Sequence, residues 1–260
     1  MSLSSSQKIE IEEVLKNSLR CRFQNYKPEP ASMPFHIRLL GKDRLALYSF
    51  IHSLSTNFGT SMFEPVAVVL ARKNFKSAQS HIKAGEYISE PAHKQIQKIM
   101  DDLSTAESSP NKSAEIEIIR KVCQSGKMSK VKLTEVDVLL TSQSGELFLF
   151  DIKTAKPNAG GFKEFKRTML EWTAAVLAAN PKAVVNTLIA IPYNPYEPQP
   201  YNRWTMRGML DFNFELKVAD EFWDFLGGKG TYNDLLDCFE RVGIELRSEI
   251  DECFKKFNKK

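Results

Sequence analysis

Two short stretches of sequence decide the fold, Thr134-Glu-Val-Asp-Val-Leu-Leu140 and Leu147-Phe-Leu-Phe-Asp-Ile-Lys153. Each is rich in residues that favour β-strands, and a turn with serine and glycine separates them, so together they predict a β-hairpin. Apolar residues occupy both faces of each strand, a pattern typical of strands that are buried under helices on both sides. The exceptions are Asp137, Asp151 and Lys153, and charged side chains are seldom buried unless they are paired or bind a metal.

The turn of this hairpin decides where the three charges point. A three-residue turn with Gly145 in the left-handed conformation places Asp137 opposite Asp151. A five-residue turn moves the two carboxylates to a diagonal but keeps them on one face. Lys153 lies on that face as well, because it follows Asp151 by two residues along the strand.

Two carboxylates on directly opposite residues, with Cβ atoms about 4.5–5.5 Å apart, repel each other, and burial increases the repulsion. A divalent cation between Asp137 and Asp151 would remove that repulsion, and Mg²⁺ prefers such oxygen ligands. Lys153 could then orient a water molecule or stabilise charge on a phosphate oxygen. The alternative is a structural salt bridge between Lys153 and one aspartate, which would leave the other carboxylate poorly compensated.

Helical spacing of apolar residues dominates the sequence on both sides of the hairpin. Residues 1–130 are predicted to be mainly helical, residues 131–210 to form the core, and residues 211–260 to be helical again. We interpret residues 1–260 as a single mixed α/β domain. The predicted helices are 7–20, one capped by Asp43, Ser61–Ala71, Pro91–Leu103, a short one with Ile116–Val122, 160–179, 215–226, 231–242 and 244–257, and the predicted strands are 131–140, 146–154 and 184–191.

The composition excludes several classes of protein. Hydrophobic residues make up 42% and charged residues 26%, which is too apolar for a disordered chain. No apolar run approaches the roughly 20 residues that a membrane-spanning helix needs, and the N-terminus lacks the apolar core of a signal peptide. The four cysteines show no CxxC spacing, which argues against a disulfide framework or a zinc site. We therefore expect a cytoplasmic protein with reduced thiols.

An acidic residue on one strand, here Asp137, and Asp-Ile-Lys at the end of the next resemble the motif of the PD-(D/E)XK nuclease superfamily. Val136 stands where that motif often has proline. A longer string, Phe150-Asp-Ile-Lys-Thr-Ala-Lys-Pro-Asn158 followed by Gly160-Gly-Phe-Lys-Glu-Phe-Lys-Arg167, is similar to a group of type II restriction endonucleases that cut the interrupted palindrome GGNCC. The similarity spans most of the chain and is strongest over residues 134–210.

This resemblance implies a fold and an activity. The fold is a restriction-endonuclease-like α/β core, a mixed β-sheet flanked by helices, with additional N- and C-terminal helices. The activity is Mg²⁺-dependent hydrolysis of duplex DNA without a nucleotide cofactor, with Asp137, Asp151 and Lys153 catalytic and the two aspartates as metal ligands. Because a palindrome matches a two-fold axis, a homodimer is expected. The alternatives are a repair or structure-specific nuclease on the same core, or a non-catalytic DNA-binding protein.

The superfamily often adds a catalytic, metal-binding glutamate from a helix that packs on the hairpin. Glu64 ends Gly59-Thr-Ser-Met-Phe-Glu64, which is similar to the G-x-x-x-E form of that helix with one extra residue. A capping box with Ser61 would also account for Glu64. Glu115 is the alternative ligand because its helix directly precedes the hairpin, although a place in the first helical turn would equally explain an acid there. We favour Glu64.

Positive charge is concentrated before residue 211, since residues 1–210 carry a net charge of +8 and residues 211–260 a net charge of −4. Such a surface attracts phosphates, although a merely solvated lysine-rich surface would have the same composition. The predicted DNA contacts that follow the hairpin are Lys156, Asn158, Lys163, Lys166 and Arg167. In the proline-rich stretch 193–207, Arg203 and Arg207 are the candidate guanine readers, and Asn194 and Asn202 are further candidates for base contacts.

Overall fold

The computed structural model describes residues 3–26, 33–153, 159–201 and 208–258. Its strands are β1 Ser77–Ile82, β2 Tyr87–Ser89, β3 Met128–Lys130, β4 Val136–Thr141, β5 Leu147–Ile152, β6 Val185–Ile191 and β7 Leu216–Val218. Five of them form one sheet in the order β1-β4-β5-β6-β7, and β2 pairs with β3 separately. The sheet is mixed, because β1, β4 and β5 are antiparallel neighbours whereas β5, β6 and β7 run parallel.

The predicted hairpin is β4–β5, at the centre of this sheet, and its predicted three-residue turn is confirmed. Gly145 has a left-handed φ of +90°, and the Ser142 amide donates to the Glu146 carbonyl at 2.8 Å. The last paired residues at the other end are Val138 and Phe150. One residue beyond them, the same register brings Asp137 level with Asp151.

Helices precede, follow and interrupt the sheet. They are α1 Ser5–Asn25, α2 Pro34–Leu40, α3 Lys42–Phe58, α4 Glu64–Ala71, α5 Glu90–Ser104, α6 Lys112–Arg120, α7 Ala159–Ala179, α8 Phe212–Glu215, α9 Asp220–Gly227, α10 Thr231–Glu245 and α11 Arg247–Asn258. A π-helical turn, Gly59–Phe63, joins α3 to α4. Helix α7 makes the crossover that two parallel neighbours such as β5 and β6 require.

Each face of the sheet is buried under helices, as the apolar pattern of the hairpin predicted. On one face, Ile119 of α6 and Trp172 of α7 belong to a core that also takes in α5. On the other, Leu15 of α1, Val66 of α4 and Trp223 of α9 pack in a second core with α10. The predicted fold class, a mixed sheet flanked by helices with extra helices at both ends of the chain, is confirmed.

Four short strands escaped prediction, and several predicted boundaries are wrong. Asp43 does not cap a helix, since α3 begins at Lys42 with Gly41 as its N-cap. Strand β1, Ser-Ala-Gln-Ser-His-Ile, is a half-exposed edge strand with little apolar signal, and β2, β3 and β7 have three residues each. The first hairpin strand begins at Val136 rather than residue 131. The predicted helix 215–226 instead contains β7, and helix α9 begins only at Asp220.

Two further sequence expectations concern membranes and thiols. In the described ranges, no helix combines the length and the apolar character needed to cross a membrane. The four cysteines are free thiols; Cys21 is exposed and the other three are buried.

Candidate active site

The site lies where β4 and β5 separate. The backbone hydrogen bonds between the two strands end at Val138 and Phe150. Beyond them a side chain links the strands, since Asp137 Oδ2 accepts a hydrogen bond from the Ile152 amide at 2.7 Å. Asp151 is buried, and its Oδ1 lies 2.5 Å from the Lys153 Nζ. The structure therefore brings together the three charged side chains that the hairpin pattern singled out.

Negative charge is crowded at Asp137. Burial raises the pKa of its carboxyl to about 7, from the usual value of about 3.9, and the charge of Asp151 acts in the same direction. The carboxylate of Glu64 adds to the rise, while the Ile152 amide and the Lys153 ammonium oppose it. The salt bridge between Lys153 and Asp151 thus leaves Asp137 poorly compensated.

Glu64 lies at the same site. It begins α4 with only 4% of its side chain exposed, and it lines the same cleft as Asp137 and Lys153, a space of about 690 Å³. Burial raises the pKa of Glu64, the nearby Asp151 adds to the effect, and His81, Thr60 and Lys153 oppose it. The alternative explanation as a capping box is wrong, since α4 continues from the π-helical turn with Phe63 as N-cap and no side-chain cap.

Glu115 lies elsewhere, in a buried ion cluster formed by Lys112, Glu115, Lys166 and Glu215. The Lys166 Nζ lies 2.5 Å from Glu115 Oε2 and 2.8 Å from Glu215 Oε2. Lys112 contacts Glu215 at 3.1 Å. Burial on its own would raise the pKa of Glu215, but the two lysines outweigh it and lower that pKa. The alternative of Glu115 as metal ligand is therefore not supported by its position.

The prediction that Lys166 contacts DNA is wrong in this structure. Its side chain is 0% exposed, and its ammonium is fully engaged by Glu115 and Glu215. Lys163, one turn earlier on α7, is exposed. Arg167 is half-buried and donates to the Gln97 side chain at 2.8 Å.

The remaining predicted DNA contacts are in or near two loops. The Asn194 amide stabilises its own loop, since its Nδ2 donates to the Gln199 carbonyl at 2.7 Å and its Oδ1 accepts from the Tyr196 amide at 3.0 Å. Asn194 is therefore already engaged by its own loop. The other predicted contacts lie outside the described residues: Lys156, Asn158, Asn202, Arg203 and Arg207.

The donor set suits a hard divalent cation. Asp137, Asp151 and Glu64 offer carboxylate oxygens, and Glu64 Oε2 is buried without a hydrogen bond of ordinary geometry among the described residues. Within those residues, no three acidic, histidine or cysteine side chains already converge at ligand distance. Asp151 instead contacts the Lys153 ammonium, so a metal ion would take the place of that contact.

The hairpin pattern did not single out His81, which the structure brings to this site. Its Nε2 lies 3.1 Å from Glu64 Oε2. Strand β1, which carries His81, shows no apolar alternation that would predict a strand, because it is a polar edge strand. Only the register of β1 against β4 reveals the proximity.

Comparison with known proteins identifies the family. Residues 3–243 match the family model described as HinfI, type II restriction endonuclease. The type II restriction enzyme MjaII of Methanocaldococcus jannaschii is 26% identical, over 93% of this chain and 71% of that protein. HgiCII and HgiBI, type II restriction enzymes of Herpetosiphon aurantiacus, are 26% and 25% identical, over 84% and 91% of this chain and 80% and 89% of theirs. The chain thus belongs to the HinfI family of type II restriction endonucleases and is a site-specific deoxyribonuclease.

Proposed function

We propose that this endonuclease cuts double-stranded DNA in a Mg²⁺-dependent hydrolysis, as a cytoplasmic homodimer, with Asp137, Asp151, Lys153 and Glu64 as its catalytic side chains. One observation carries the proposal: Asp137 lies level with Asp151 at the point where β4 and β5 separate, and burial and repulsion raise its pKa to about 7. A bound cation would stabilise the charged form of such a carboxylate pair. The family supports site-specific cutting rather than repair or binding alone.

Each side chain has a role that follows from its position. Asp137, Asp151 and Glu64 would hold the metal ion through their oxygens. Bound Mg²⁺ would activate a water molecule and neutralise charge on the phosphate. The Lys153 ammonium, held near Asp151 and 4.9 Å from the centre of the Phe165 ring, can orient the attacking water or donate to a phosphate oxygen.

We propose GGNCC as the recognition sequence. The support is the similarity of residues 150–167 to enzymes that cut this sequence. Four of its base pairs are G·C, and arginine is the usual reader of guanine in the major groove, so Arg203 and Arg207 are the proposed readers. Lys156, Asn158, Lys163, Arg167 and Asn202 remain proposed contacts to DNA.

A plasmid digest tests the proposal directly. In Mg²⁺, a plasmid with GGNCC sites should give discrete fragments whose sequenced ends lie at those sites. A matched plasmid in which each site has one G·C pair replaced by A·T should stay intact. Discrete cutting at another sequence would reject GGNCC while retaining the endonuclease, and an uncut plasmid in both Mg²⁺ and Mn²⁺ would reject the proposed catalytic site.

Metal affinity should depend on pH because Mg²⁺ binds ionised carboxylates. With the pKa of Asp137 at about 7, a proton must leave at lower pH, so the affinity for Mg²⁺ should rise by up to about tenfold per pH unit from pH 5 to 7 and then level off. Mg²⁺ titrations from pH 5 to 8 measure this change in affinity, and an affinity that does not change with pH contradicts it.

The same pKa shift affects the stability of the metal-free protein. The stability that protonated Asp137 provides is complete below its unfolded-state pKa of about 3.9 and is lost as pH rises through 7.

Lys163 should contribute to binding through a phosphate contact. In Lys163→Ala, the slope of log affinity for DNA against log salt concentration should become shallower by about one, which corresponds to one phosphate contact. The change should be equal for specific and unrelated duplexes. Fluorescence anisotropy across a salt series with Ca²⁺ in place of Mg²⁺ provides the measurement. The matched control is Lys73→Ala, an exposed lysine beyond the far end of α4. Identical slopes for the wild type and Lys163→Ala would remove Lys163 from the proposed DNA contacts.

The proposed homodimer needs an interface, and the exposed apolar side chains point to helices α2 and α3. The α2–α3 apolar surface consists of Phe35, Leu39, Leu40, Leu47, Tyr48 and Ile51. Phe35 and Leu39 are 84% and 83% exposed. Exposed apolar side chains on two adjoining helices are typical of a protein–protein interface.

Charge on that surface should separate the subunits. The double variant Phe35→Glu, Leu39→Glu should sediment as a monomer, because paired apolar surfaces would then bury carboxylates. It should also lose concerted double-strand cutting at a palindrome. Ile9→Glu, which places a carboxylate at an exposed apolar position on α1, is the control. A double variant that still sediments as a dimer would place the interface elsewhere.

A further inference from the structure

His81 has an unusual backbone conformation at the edge of the sheet. Its φ is +54°, in the left-handed region that residues other than glycine rarely adopt, although it lies inside β1. The register of β1 with β4 is the same on both sides of it, since Ser80 pairs with Val138 and Ile82 with Val136. By this register His81 lies opposite Asp137 on β4, and Asp137 in turn lies opposite Asp151 on β5. Such conformations persist where surrounding contacts hold them, often at functional sites.

The imidazole of His81 lies between two acidic side chains. Its Nε2 is 3.1 Å from Glu64 Oε2, and its Nδ1 is 4.0 Å from Glu135 Oε2. Glu64 is almost entirely buried, whereas 48% of the His81 side chain is exposed. Thr60 also supports the Glu64 carboxylate through a side-chain hydrogen bond, and the charge of Lys153 favours it. A buried carboxylate with few partners keeps its orientation only while those partners remain.

We propose that His81 is a positioning residue that holds the Glu64 carboxylate toward Asp137 and Asp151. This inference rests on the proposed function, because Glu64 matters through the metal that it would help to hold. The contact between His81 Nε2 and Glu64 Oε2 is close but lacks the geometry of an ordinary hydrogen bond. Removing a partner that orients a ligand typically costs about 10–100-fold in metal affinity or activity.

Three substitutions distinguish the effect of losing the imidazole contact from the effect of the left-handed backbone at residue 81. His81→Ala removes the contact. His81→Asn tolerates the left-handed conformation, but its amide is too short to replace Nε2. His81→Gln places an amide N–H near the position of Nε2. In Ala and Asn variants, kcat should fall about tenfold and the Kd for Mn²⁺, measured by calorimetry without DNA, should rise by a similar factor. The Gln variant should recover most of both losses, and DNA affinity in Ca²⁺ should stay within about twofold in all three.

A double-mutant cycle shows whether His81 acts through Glu64. In a Glu64→Gln background, His81→Ala should have no further effect on kcat or on Mn²⁺ affinity. An equal loss in both backgrounds would overturn the proposal, as would a wild-type rate in His81→Ala or His81→Asn. His93→Ala, which removes an imidazole on α5, away from both the proposed catalytic side chains and the α2–α3 apolar surface, controls for the loss of an imidazole.

The same experiments distinguish failure of this inference from failure of the proposed function. If Asp151→Asn is inactive while His81→Ala retains full rate and full Mn²⁺ affinity, the catalytic site stands and only the role of His81 is rejected. If the wild type cuts no DNA, the proposed function fails, and the calorimetry still decides whether His81 supports a metal site at Glu64. Absence of Mn²⁺ binding to the wild type would overturn both.

Discussion

Asp151→Asn is expected to abolish DNA cleavage, with a loss of about 10³-fold or more. Asp151 is buried at the end of β5, level with Asp137, and its Oδ1 contacts Lys153. Removing its charge takes away a proposed metal ligand and the anion that holds the Lys153 ammonium, and stabilisation of this kind contributes several kcal/mol to catalysis. Asparagine has nearly the same shape, so the fold and DNA binding should survive.

Single-turnover cleavage in Mg²⁺, DNA binding in Ca²⁺ and thermal unfolding together test this expectation. Asp251→Asn, an exposed aspartate on α11, is the matched control and should cut at the wild-type rate. If Asp151→Asn cuts DNA at even a tenth of the wild-type rate, the assignment of the catalytic site is wrong. If it fails to fold, the titration of the pKa of Asp137 in the wild type remains the independent check on the site.

Lys166→Met is expected to be the most destabilising of these changes. The methionine side chain has a similar length, but the substitution leaves the buried carboxylates of Glu115 and Glu215 with Lys112 as their remaining cationic partner in the buried ion cluster. Removing one member of a buried ion pair typically costs about 3–5 kcal/mol, because an uncompensated charge stays behind. The free energy of unfolding should fall by about that amount.

Urea unfolding, followed by circular dichroism, measures this loss. The control is Lys163→Met, which makes the same substitution one turn earlier on the same helix at an exposed position and should unfold almost like the wild type. Adding Glu115→Gln to Lys166→Met should recover part of the loss, since it removes the carboxylate that has lost its cation while Lys112 still pairs with Glu215. Equal stabilities of Lys163→Met and Lys166→Met would show that the cluster contributes little.

The hairpin, its turn and the meeting of Asp137, Asp151 and Lys153 were all predictable because each depends on local sequence. Strand alternation and a left-handed glycine fix the register over about a dozen residues, and that register decides which side chains meet. Glu64 was a correct choice of neighbour to the hairpin carboxylates, but the resemblance to a family, rather than spacing, led to it. Its role as metal ligand remains a prediction.

The features that escaped prediction depend on contacts between distant parts of the chain. Lys166 is separated from Glu115 and Glu215 by 51 and 49 residues, so its position on a basic helix gave no sign that it is buried. Strand β1 belongs to the sheet through its pairing with β4, and its polar sequence has no apolar alternation. His81 could not be found for the same reason.

The buried ion cluster has a mechanical consequence. Lys166 ties helix α7, which follows the proposed catalytic strand, to Glu215, and Glu215 also accepts the Asp211 amide at 2.9 Å. Through Lys112, the same cluster reaches Thr187 on β6. Pulling these pieces apart would leave uncompensated charges in the interior, which is costly. Buried charge therefore fixes the position of α7 relative to β6 and to the segment that follows residue 207, next to the strand that carries the proposed catalytic Asp151.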